Sequence, residues 1–186
     1  MKGSPMKCPL CKKGNLRSQP AKGLPKRLMC DHCSGHWIRY FDYWKWLNLL
    51  ENSFKEKPVE EGESLFVVDS LGAKFCPDCH CFMSRYKVGH GIKFHLDRCA
   101  TCGGVWFDKN EWEILKSRNL HDEIHFIFSH AWQKEVHQKE MHEMYENRIT
   151  KILGESDFSK VKKFKEWLSH NDSQNTVMAF LANIDE

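Results

Sequence analysis

The stretch that most constrains this chain runs from Cys76-Pro77-Asp78-Cys79 to Cys99-Ala100-Thr101-Cys102, two C-x-x-C pairs with 19 residues between them. A C-x-x-C pair fits a tight turn that aims two sulfurs at one metal ion. Two such turns, joined by short strands, complete a tetrahedron of thiolates. Gly103 and Gly104 follow the second pair, where a knuckle brings backbone N–H groups up to the sulfurs and positive φ is favoured. Trp106 and Phe107 then read as a strand. Asp108-Lys109-Asn110-Glu111 reads as a helix start, with Asp108 at the N-cap and Glu111 at N3.

The same design occurs once before. Cys8-Pro9-Leu10-Cys11 and Cys30-Asp31-His32-Cys33 are separated by 18 residues. The copies are offset by 68 residues at Cys8/Cys76 and by 69 at Cys30/Cys99, and at the second offset Trp37 matches Trp106. A repeat that keeps its tryptophan points to two copies of one unit. The expected ligands are therefore Cys8, Cys11, Cys30 and Cys33 for one zinc, and Cys76, Cys79, Cys99 and Cys102 for a second. Iron suits the same four-sulfur set. Disulfides are disfavoured, because the pairs have metal spacing and the chain shows no secretory segment.

At these residues the sequence resembles the TFIIB-type transcription-factor zinc-ribbon family, with its pattern C-P-x-C … C-x-x-C-G-G-x-W-x-D-x-x-E. The second copy carries it at Cys76, Pro77, Cys79, Cys99, Cys102, Gly103, Gly104, Trp106, Asp108 and Glu111. The first keeps Cys8, Pro9, Cys11, Cys30, Cys33 and Trp37, but has Ser34-Gly35 for the two glycines and Asp42 where Glu111 falls. The resemblance spans about residues 5–50 and 74–116. The tail beyond residue 120 is similar to that of small bacterial proteins carrying this ribbon. The resemblance implies a zinc ribbon and a link to transcription; fold alone does not carry an activity.

A ribbon of this size buries too little apolar surface to hold itself together. Structural zinc contributes about 10–16 kcal/mol of apparent binding free energy in comparable peptides, against about 5–15 kcal/mol of net stability for a whole domain. The metals should decide whether the ribbons fold. The expected fold is a small zinc-stabilised α+β protein. Its parts are a first ribbon with an aromatic helix (1–54), a linker (55–64), a second ribbon (65–118) and a helical C-terminal region (119–186). Residues 1–7 read as disordered.

Within the first ribbon, Asp42 to Phe54 reads as a helix with Trp44, Leu47, Leu50 and Phe54 on one face. Leu65-Phe66-Val67-Val68 reads as a short strand. Residues 82–88 and 92–96 alternate around His90-Gly91, a hairpin. Residues 122–153 read as helical, with Gly154 as a stop. A further helix capped by Asp157 should bury Val161, Phe164, Trp167 and Leu168. A last one should present Val177, Phe180, Leu181 and Ile184. These helices are expected to bundle and pack on the second ribbon.

Charge is uneven. Residues 1–50 carry ten Lys/Arg against Asp31 and Asp42, while residues 121–186 carry eight against twelve Asp/Glu. Lys12, Lys13, Arg17, Lys22, Lys26 and Arg27 crowd one loop, with Trp37, Tyr40 and Tyr43 shortly after. That set fits a nucleic-acid surface or a solvated hairpin. No apolar run reaches the roughly 18 residues of a membrane helix. The expected compartment is the cytoplasm, where thiols stay reduced.

His121-Asp122-Glu123-Ile124-His125 puts two histidines at i and i+4, on one helical face. It departs from the metalloprotease pattern H-E-x-x-H at Asp122 and reads as packing or surface histidines. Cys81 reads first as a buried small hydrophobe, with zinc-site redox chemistry as the alternative. Saturated zinc sites leave no open position for a substrate water, and no catalytic constellation stands out. The expectation is a non-catalytic protein-interaction or adaptor module. The alternatives are a nucleic-acid-binding, transcription-related module and a thiol-redox sensor.

Overall fold

The computed structural model describes residues 6–20, 22–50, 67, 69–70 and 72–183. The expected linker, the start of the strand at Leu65 and the end of the helix at Phe54 lie outside the described residues, as do residues 1–5 and Ile184.

The first ribbon is built from β1 (Leu16–Gln19), β2 (Arg27–Cys30) and β3 (His36–Ile38), followed by α1 (Tyr40–Leu50). The second is built from β4 (Met83–Gly89), β5 (Ile92–Cys99) and β6 (Val105–Phe107), followed by α2 (Glu111–Ser117). The hairpin expected around His90-Gly91 is β4–β5, both residues taking positive φ in the turn. All six strands form one sheet in the order β1-β2-β3-β6-β5-β4. The two ribbons are thus joined through their third strands, with His36 opposite Phe107, Trp37 opposite Trp106 and Ile38 opposite Val105.

Strand side chains alternate between faces, and the two faces hold different cores. Ile38, Val105 and Phe107 point to an aromatic-aliphatic core shared with Trp46, Leu47, Trp112, Leu115, Ile124 and Ile127. Trp37 and Trp106 point the other way, into a cluster with Cys8, Cys30, Cys76, Cys99 and Met83.

The helix start at Asp108 differs from expectation. Glu111 Oε2 does accept the Asp108 backbone N–H, at 2.8 Å, as in a capping box. Asp108 does not cap in return; the helix begins after Asn110, which takes φ +71°. The Asp108 carboxylate is held elsewhere, by the Trp106 indole N–H and the Ser70 hydroxyl, each at 2.6 Å.

After α2 come α3 (Ile124–Ile127), α4 (His130–Leu153), α5 (Glu155–Ser169) and α6 (Gln174–Ala182). Gly154, expected as a stop, separates α4 from α5 at φ +79°. The chain divides into two compact units, Met1–Val136 and His137–Glu186. In the first, α3 and the opening turns of α4 lie on the ribbon. Trp132 donates its indole N–H to the Val88 carbonyl at 2.8 Å, and the Gln133 side chain bonds Lys87 at both its backbone N–H and carbonyl. In the second, no described residue is buried. Val161, Phe164 and Trp167, expected inward, are exposed, as is Phe180.

Candidate metal centres

Four turns aim the eight cysteines. Each places the residue four after its first cysteine at positive φ: Lys12 (58°), Ser34 (62°), His80 (60°) and Gly103 (72°). Each of these donates its backbone N–H back to that cysteine's carbonyl, at 2.9–3.3 Å. Only one of the four is glycine; the cost of a left-handed residue, of the order of 1 kcal/mol, is accepted at the others to shape the knuckle. Ser34, where the family pattern has glycine, therefore keeps the same backbone.

The sulfurs of Cys8, Cys11, Cys30 and Cys33 lie within 4.8 Å of one another, and so do those of Cys76, Cys79, Cys99 and Cys102. The shortest pairs are Cys8–Cys33 at 3.6 Å, Cys11–Cys30 at 3.7 Å, Cys76–Cys102 at 3.5 Å and Cys79–Cys99 at 3.4 Å. A tetrahedron with zinc–sulfur bonds of about 2.3 Å spaces its sulfurs about 3.8 Å apart, so both clusters fit such an ion. All eight cysteines are free thiols, not disulfides.

The electrostatics point the same way. Burial pushes the thiols of Cys33 and Cys76 up to about 11 and raises Cys8 further. Burial also opposes ionisation at Cys11 and Cys99. Backbone N–H groups outweigh it, those of Gly14 and Lys13 at Cys11 and that of Cys102 at Cys99, and the thiols fall to about 6 and about 7. Four crowded thiols cannot all ionise unaided, and a dication among them changes that.

One carboxylate that sequence reading passed over ties the sites together. Asp78, inside the third knuckle, accepts the Trp37 indole N–H at 2.8 Å and a fork from Arg39 at 2.7 and 2.9 Å. The Arg39 guanidinium holds the Asp78 acid below its usual range. The signal available in sequence was only that Asp78 sits in a C-x-x-C turn.

Residues 75–118 match the family described as Transcription factor zinc-finger, the TFIIB-type zinc ribbon. This stretch is a TFIIB-type zinc ribbon. No curated protein matches the chain, and no solved structure does. The TFIIB-type match stops short of the first ribbon, which repeats the cysteine cluster and the strand order around it.

The remaining predicted residues are dispersed. Lys12, Lys13, Lys22 and Lys26 are exposed. Arg17 is exposed and pairs with Asp31 at 3.2 Å. Arg27 is turned inward, its side chain 12% exposed, 3.8 Å from Glu113. Trp37 and Tyr43 are buried and offer no face to a base, while Tyr40 is half exposed. Cys81, expected to be buried, is exposed; its carbonyl accepts the Cys76 N–H at 2.8 Å and closes the turn. His121 and His125 do not share a helical face, since α3 begins at Ile124. They pack on rings instead, His121 on Trp46 and Trp112, His125 on Trp44 and the Tyr43 hydroxyl. No helix among the described residues is long and apolar enough to cross a membrane.

Proposed function

We propose that the chain is a non-catalytic zinc-dependent adaptor, whose ribbons are held by zinc through Cys8, Cys11, Cys30, Cys33 and through Cys76, Cys79, Cys99, Cys102, and whose helices engage a protein partner. One observation carries the adaptor reading. Residues 137–183 form three helical stretches with no buried side chain, yet present Met144, Tyr145, Ile152, Trp167 and Phe180 to solvent. Helices without a core of their own lack the usual source of stability, and large apolar side chains left exposed on them suit an interaction site. Four-sulfur sites leave no coordination position for substrate, which supports a structural use of the metal.

The test is proximity crosslinking of the full chain in its source cell, comparing wild type with Trp167→Glu and Phe180→Glu. A set of partners lost in both variants supports the reading. An identical crosslinking pattern in all three proteins overturns it.

A second reading, a nucleic-acid surface, has its own observation. Phe75 and Phe82 are exposed and edge-to-face at 6.1 Å, and the Lys12 ammonium lies 5.9 Å from the Phe75 ring. Rings beside lysines suit single strands, where bases stack and phosphates pair. Binding of a labelled oligonucleotide should then fall steeply with salt and be lost in Phe75→Ala/Phe82→Ala. No binding at low salt removes this reading and leaves the adaptor.

A further inference from the structure

We propose that Asp69, Asp108 and Glu111 form a third metal site, one that takes a hard divalent cation of calcium size on oxygen ligands. Their carboxylate oxygens lie within 4.8 Å of one another. Calcium–oxygen bonds of 2.3–2.6 Å allow ligands on opposite sides of the ion to be up to about 5 Å apart. One oxygen per residue therefore reaches a common ion.

A cluster of acids is not by itself a site, but this one is buried and unfinished. Glu111 is 1% exposed, and its Oε1 has no hydrogen-bond partner. Its other oxygen is fixed by the Asp108 backbone N–H. A carboxylate oxygen buried without a partner is costly, and a cation between the three residues supplies what is missing.

The charge balance agrees. Four carboxylates converge here, those of Asp69, Asp97, Asp108 and Glu111, against two fixed cations, Lys74 and Arg85. Lys74, itself 1% exposed, is committed to Asp97 at 2.5 Å and stands 3.6 Å from Asp108. Arg85 is bound to Asp69 at 2.5 Å. With the His95 imidazole beside Asp69 neutral, two negative charges remain, the complement of a dication. Burial first, and the neighbouring Asp108 second, raise the Glu111 acid well above its ordinary value.

The ligands are also oriented as metal ligands usually are, by groups behind them. Asp69 is held by Arg85 and by His95 at 2.7 Å, Asp108 by Trp106 and Ser70. The Asp69 side chain is 19% exposed and gives the ion a way in. All-oxygen ligands favour calcium, magnesium or manganese, whereas the thiolate clusters favour zinc. The sites therefore do not compete for one ion.

The experiment titrates terbium, a calcium-sized luminescent probe, into the zinc-loaded full chain. Trp106, bonded to Asp108, should sensitise the emission. We expect saturable one-to-one binding that calcium displaces. Glu111→Gln and Asp69→Asn should each weaken it by at least about tenfold, the lower end of the loss seen when even an outer-shell group is removed, with zinc content unchanged. If Glu111→Gln loses zinc, Asp69→Asn, at the solvent edge, decides. Absence of saturable binding to the native chain at millimolar calcium or terbium overturns the proposal, as does unchanged affinity in Asp69→Asn.

Discussion

Trp37 and Trp106 are register partners across the seam between the two ribbons, and each indole covers the glycine that follows the other ribbon's last cysteine pair. A methyl group added at Gly104 would collide with Trp37, and one added at Gly35 would collide with Trp106. The exchange is reciprocal, so the seam is a pseudo-symmetric contact between two copies of one unit. It also gives a reason for Gly35: the first copy replaces the glycine of the knuckle by Ser34 and keeps the one beneath the ring.

Gly104→Ala should therefore destabilise the zinc-loaded protein by about 1–3 kcal/mol or more, the usual cost of overpacking a core. Gly72→Ala, where an added carbon meets nothing within 4 Å, should stay within about 0.5 kcal/mol of wild type. Denaturant unfolding of both variants at saturating zinc measures the difference. Equal midpoints would show that the indole rings do not pin the seam.

Freshly reduced, unchelated protein should carry two zinc or iron ions per chain by elemental analysis, one for each thiolate cluster. Cys99→Ser should lose one of them and unfold the second ribbon, since binding and folding are coupled in such sites. Cys81→Ser, at an exposed thiol outside both clusters, should keep both. Fewer than two zinc or iron ions in the wild type, or loss of one in Cys81→Ser, would require a different ligand set.

His36 makes the pH dependence partly separable from the thiols. It is buried, stacks on Phe107 at 5.1 Å and meets Trp112 edge-on, and its Nε2 has no partner. Burial first, then the Arg27 charge, lower its pKa from 6.5 to about 3. The native state thus stays neutral while the unfolded chain takes up a proton, so stability falls as pH drops through 6.5 towards 3. Between pH 7 and 5.5 this one group should account for about 1 kcal/mol. His36→Phe should remove that part, leaving a shallower loss from thiolate protonation and from His121 and His125, whose pKa values burial also lowers. Parallel stability curves for wild type and His36→Phe over this range would refute the assignment.

Sequence alone determined the eight cysteines, the two-copy design, the β4–β5 hairpin and α2, because knuckle spacing and period-two alternation are local properties. It also pointed to Trp37 and Trp106 as a repeated pair. Tertiary structure decided what those two residues do. Either ribbon edge could have paired, and the β3–β6 choice follows from burying both faces of the short strands at once. Positive φ at Lys12, Ser34 and His80 was hidden, since residue type signals it only at glycine. Arg27 read as a loop cation because charged residues are usually exposed, and only its position beside Glu113 turned it inward. Lys74, Asp97, Asp108 and Glu111 are scattered over 38 residues, between segments that alternate or cap locally. Their burial as one charged cluster depends on strands brought together from both sides of the second metal site, and no local pattern carries that information.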